Sequence, residues 1–143
     1  MSGPSLKKQD AHNSIHEAAL NEAKELNELF RLCLQKEQKE KAFQVAEVLV
    51  EQWESRTLKH AEAEEEGLYT EMVKENPKLH HLIIQLTRDH DLMRRIVEQI
   101  KVQLSKNEVN EWTLSLMESL IVIDSIHNED EMNKLLNNTN DTK

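Results

Sequence analysis

Glycine and proline are nearly missing from this sequence: its 143 residues hold only Gly3, Gly67, Pro4 and Pro77. Hairpin turns draw on these residues, so a many-stranded sheet has almost nothing to turn on. Cysteine occurs once, as Cys33, which excludes an internal disulfide and agrees with a reducing compartment. No apolar run approaches the roughly 20 residues that cross a bilayer, so no membrane partner is expected. No apolar core follows Lys7 and Lys8, so a secretory signal is not expected either. The formal charge of −9 leaves no basic face for phosphates, and nucleic acid is not an expected partner. The expected compartment is the cytoplasm.

What the sequence does hold is Leu, Glu, Lys, Ala and Gln, all strong helix formers. Apolar residues recur at three- and four-residue spacing over four segments. The first runs from about 5 to 36, with Ala19, Leu20, Ala23, Leu26, Phe30 and Cys33 inward. The second runs from about 40 to 74, on Ala42, Ala46, Leu49, Val50 and Trp53. Asn76-Pro77 then reads as an N-cap followed by proline at the first helical position. The third segment continues to about 104 and the fourth spans about 107 to 136, with a break at Ser105 to Asn107. The break near Lys36 to Lys41 has neither Gly nor Pro to mark it. Long helices with short connections predict an all-α, up-down-up-down four-helix bundle, one domain over 1–143. The polar tail from Asn137 is expected to fray.

Chemistry enters where histidines interrupt the apolar stripes. His90 lies four residues after Leu86 and seven before Val97, and His127 lies four after Ile123. His60 follows Trp53 by seven, and His16 precedes Ala19, Leu20 and Ala23. Each helix thus turns one histidine inward. His60 and His127 each have a glutamate four residues on, Glu64 and Glu131, on the same helix face. His80 and His81 fall off the stripe and are expected in solvent.

At about 1.5 Å per residue, the four inward histidines and Glu64 lie roughly 14 to 21 Å from one end of the bundle. Glu131 sits a turn lower. Burying such a layer without a cation costs several kcal/mol. Imidazole and carboxylate without thiolate suit iron, manganese or zinc. Six ligands are too many for one tetrahedral zinc and suit two ions, with Glu64 and Glu131 bridging and two histidines on each. With an oxo or hydroxo bridge, each ion keeps a position for a small ligand such as oxygen, nitric oxide or peroxide.

The order His16, His60-Ala-Glu-Ala-Glu64, His90, His127-Asn-Glu-Asp-Glu131 resembles the hemerythrin-like, or HHE cation-binding, family over nearly the whole chain. The resemblance implies a non-heme di-iron centre with His16, His60, Glu64, His90, His127 and Glu131 as ligands. Oxygen-carrying members place two histidines four apart on the third helix, whereas here Leu86 and Arg94 flank His90 at that spacing. The missing fifth histidine implies two open irons and points away from oxygen carriage. The pattern is similar to bacterial di-iron proteins that repair iron–sulfur clusters after nitric oxide or peroxide stress. Those carry a further cysteine-containing N-terminal segment, so this sequence reads as a stand-alone domain. The expected function is binding, sensing or reacting with O2, NO or peroxide. An iron buffer, donor or sensor is the alternative, and a helical interaction module the third reading. The Glu-x-x-His pairs of ferritin-like enzymes are absent: Asn13, Thr57, Thr87 and Asp124 stand three residues before the histidines.

Lesser features have plainer readings. His12, one turn before His16, reads as a helix-start surface histidine, with a ligand or supporting role as the alternatives. Asp124 reads equally as support for a ligand imidazole or as a surface charge. Glu65 is a substitute bridge if the second helix is rotated. Cys33 reads as core, and Trp53, Trp112 and Tyr69 as packing anchors.

Overall fold

The computed structural model describes the backbone of residues 3–136 and the side chains of residues 11–136. The tail expected to fray lies outside the described residues. Six α-helices form four rods: α1 (Gly3–Gln35), α2 (Lys39–Gln52), α3 (Leu58–Glu66), α4 (Leu68–Glu75), α5 (His80–Ser105) and α6 (Glu111–Asp130). A π-helical turn, Trp53–Thr57, joins α2 to α3, and a second, Glu131–Leu136, continues α6. There is no strand among the described residues. α1 packs on α2 and α6, and α5 packs on α2, α3 and α6, so each rod has two neighbours around a closed four-helix bundle. No helix among the described residues is long and apolar enough to cross a membrane.

The turns explain how so few glycines suffice. Between α1 and α2 the chain reverses through Glu37 at φ 57°, a left-handed conformation unfavourable for a non-glycine residue. The Gln38 amide closes it by donating to the Cys33 carbonyl at 2.9 Å. Asn107, at φ 55°, ends α5 in the same way, and asparagine tolerates that region better. The next helix does not begin there: α6 starts at Glu111, behind a capping box made by Asn110 and Thr113. The Asn76 side chain accepts from the Lys78 amide, and a 3₁₀ turn, Pro77–Leu79, leads into α5. The second rod is not one continuous helix. Gly67, at φ −110° and ψ −86°, interrupts it between α3 and α4.

Two apolar cores flank a polar layer. The larger holds Phe30, Leu49, Trp53, Met93, Ile100 and Leu120, and the smaller holds Tyr69, Met72, Leu79, Leu86 and Leu135. Cys33 belongs to the larger core, as expected. Trp112 does not anchor packing, since it stands 56% exposed on the outer face of α6. His80 and His81 face solvent.

Candidate metal centre

Every rod contributes to the polar layer between the two cores. α1 presents His12 and His16 one turn apart, and α3 presents His60 and Glu64. α5 presents His90, α6 presents His127, and the π turn that follows begins at Glu131. The structure therefore brings His16, His60, Glu64, His90, His127 and Glu131 together. It adds His12, which is not a surface histidine. Its Nε2 meets Glu131 Oε1 and lies 2.9 Å from Glu64 Oε2.

The two carboxylates divide their oxygens. Glu64 Oε2 lies 2.9, 3.8 and 3.4 Å from the Nε2 atoms of His12, His16 and His60, while Oε1 lies 3.3 Å from His90 Nε2. Glu131 Oε1 faces His12 and His16, the latter at 3.2 Å, while its Oε2 lies 3.4 Å from His127 Nε2. Two clusters result. In His12, His16, His60 and Glu64 the ligand atoms all lie within 4.8 Å of one another, and so do those of Glu64, His90, His127 and Glu131. Donors about 2.1 Å from one ion stand about 3.0 Å apart when adjacent and about 4.2 Å when opposite, so these separations suit coordination. One cluster gathers three histidines and the other two, where two and two were expected.

The donors are arranged for a cation and not for one another. All five imidazoles turn Nε2 inward, with His12 and His16 Nε2 2.9 Å apart and those of His90 and His127 3.1 Å apart. Among the described residues no well-aligned hydrogen bond reaches buried His60 Nε2 or Glu64 Oε2, although imidazole nitrogens crowd that oxygen at 2.9 to 3.8 Å. Orphaned acceptors in a dry layer are costly unless an ion takes their lone pairs. Burial alone would raise Glu64 and Glu131, but the imidazoles crowded against them hold both well below the usual carboxylate range. Burial likewise opposes charge on His12, yet Glu131 and Glu64 outweigh it and carry that imidazole to about 9. The layer is poised to exchange protons for metal.

Behind the layer, two acidic groups fix the orientation of the His90 and His127 rings. His90 Nδ1 lies 2.7 Å from Glu65 Oε2, which also accepts from Arg94 at 2.9 Å. His127 Nδ1 lies 3.0 Å from Asp89 Oδ2. Glu65 thus supports a histidine and does not bridge. Asp124 fits neither of its expected readings: it is 1% exposed, and among the described residues neither carboxylate oxygen has a hydrogen-bond partner. Sequence reasoning missed Asp89, the neighbour of His90, because it lies off the inward stripe and serves a histidine on another helix. It also missed Tyr69, whose buried hydroxyl donates to Glu131 Oε2 and lies 3.4 Å from Glu64 Oε1.

An all-helical bundle with a buried layer of histidines and glutamates from all four rods defines a cation-binding protein of the hemerythrin type. The model of the hemerythrin HHE cation binding domain family matches residues 12–137, and the chain belongs to that family. Neither a curated protein nor a solved structure matches.

Proposed function

We propose that the layer holds two non-heme iron ions bridged by Glu64 and Glu131, and that the centre binds, senses or reacts with O2, NO or peroxide. The observation that carries this reading is the division of both carboxylates, one oxygen toward each imidazole set. One subsite would be held by His12, His16 and His60, the other by His90 and His127. Nitrogen and carboxylate donors without thiolate suit iron, manganese or zinc, and membership of the hemerythrin family favours iron among them. Bound iron supplies redox chemistry and an affinity for small diatomic ligands. The protein's own part is to fix the donors, exclude bulk water and hold the second pair of histidines through Glu65 and Asp89. Three imidazoles on one ion and two on the other would leave the second ion the more open, in place of two equally open irons. The buried single thiol of Cys33 supports a cytoplasmic setting.

Iron analysis of the freshly purified or anaerobically reconstituted protein tests the reading, with two irons per chain expected. Exposing the reduced protein to O2, NO and peroxide, and following the near-ultraviolet spectrum, then tests the ligand class. Two irons with no spectral response to any of the three would favour an iron buffer or donor instead.

A further inference from the structure

Tyr69 was expected to be a packing anchor, and by burial it is one. Its hydroxyl nevertheless occupies a particular place. It approaches the oxygen of Glu131 that faces His127 and the oxygen of Glu64 that faces His90, and neither of the oxygens that face α1. The phenol ring also stacks on His90, with centroids 5.7 Å apart and planes 4° from parallel. Tyr69 therefore stands on the side of the centre with two imidazoles, opposite the side with three.

The backbone is built to put it there. In a regular helix the residue five positions after Glu64 points about 140° away from it. Gly67 breaks the helix between them and turns Tyr69 back toward the same centre. A side chain at Gly67 would bring a Cβ to 3.2 Å from the Ala63 carbonyl oxygen, which would have to give by a few tenths of an ångström to admit it.

We propose that Tyr69 Oη is a ligand of the second subsite, binding as a phenolate to ferric iron held by His90 and His127. This rests on the di-iron reading above. On binding, the phenol O–H bond breaks, the oxygen lone pair goes to iron and the proton leaves to solvent. No electron moves. A lone pair engaged by iron and a proton donated to Glu131 are alternative uses of the same hydroxyl. Each subsite then has five protein donors, the phenolate standing where the other side has its third imidazole.

Tyr69 is the only tyrosine in the chain. Any tyrosinate vibration enhanced in a resonance Raman spectrum of the oxidised, iron-loaded protein must therefore come from it. The expected result is a visible phenolate-to-iron(III) charge-transfer band with tyrosinate ring modes in its Raman excitation profile. Both are lost in Tyr69→Phe when the variant and the wild-type chain are compared at equal iron content. Two irons in the wild-type chain with no such band and no such modes would overturn the proposal while leaving the di-iron reading intact. A band that survives in Tyr69→Phe would overturn it equally. A chain that takes up no iron on anaerobic reconstitution would sink the di-iron reading and this proposal together.

Discussion

His12 and His16 stand one turn apart on α1 with their Nε2 atoms 2.9 Å from each other, and both atoms face Glu131 Oε1. Two imidazoles at that separation repel if both are protonated and share one proton otherwise, unless a cation takes both lone pairs. His12→Ala should therefore lower the iron content from two per chain toward one, with the helical circular dichroism unchanged. His80→Ala and His81→Ala, on exposed residues, should keep both irons. Full iron content in His12→Ala, with undiminished affinity, would remove His12 from the site.

Asp89 and Glu65 hold the rings of His127 and His90 from behind. Removing such partners weakens metal binding by roughly 10- to 100-fold in other sites. Asp89→Asn and Glu65→Gln should each weaken one of two sequential binding steps by about that factor while the other step is unchanged. Titration with cobalt(II), whose visible bands report coordination, separates the two steps. A uniform loss across both would show that the effect is on the fold and not on one subsite.

The bundle and most of this layer could be read from spacing, because inward stripes are periodic and His16, His60, His90 and His127 lie on them. Glu64 and Glu131 followed by one helical turn. His12 carried the same signal, one turn before His16, but its place near a helix start gave it the look of a surface group. Tyr69 carried no periodic signal at all, because the break at Gly67 shifts α4 out of phase with α3. Asp89 and Glu65 lie beside inward residues and reach the histidines laterally, which a one-dimensional pattern does not encode. The late start of α6 has the same origin: Asn107 and Asn110 are both helix-end residues, and only the fold decides which one caps.

Metal uptake should depend on pH in a defined direction. In the metal-free protein burial opposes charge on His127, but Asp89 and Glu131 outweigh it and carry the imidazole to about 10, as Glu131 and Glu64 carry His12 to about 9. Both folded values lie above the ordinary 6.5. Their protonation therefore stabilises the metal-free bundle fully below 6.5, and this contribution is lost as pH rises through 9 and 10. A metal must displace these protons at neutral pH, so apparent affinity should rise with pH, roughly tenfold per unit for each proton released. Cobalt(II) competition titrations between about pH 6 and 8 measure the slope. A slope of zero would mean that neither imidazole carries a proton in the metal-free state.

Asp124 presents the opposite sign. Burial pushes its carboxyl above the usual 3.8, against the favourable pull of His16, His127 and His90. A carboxyl raised in the folded state binds its proton more tightly there than in the unfolded chain. Stability therefore falls as pH climbs from the unfolded value through the folded one. Among the described residues neither oxygen has a hydrogen-bond partner, so at neutral pH the fold carries an unpaired buried charge or an unsatisfied acid. Asp124→Asn removes the ionisation while keeping the shape. In chelator-treated protein it should be more stable than wild type at pH 7, by about 1 kcal/mol or more, with the advantage vanishing at acid pH. Urea unfolding at the two pH values is the measurement. A variant less stable than wild type at both would mean that Asp124 has a partner, such as a buried water, that its amide cannot keep.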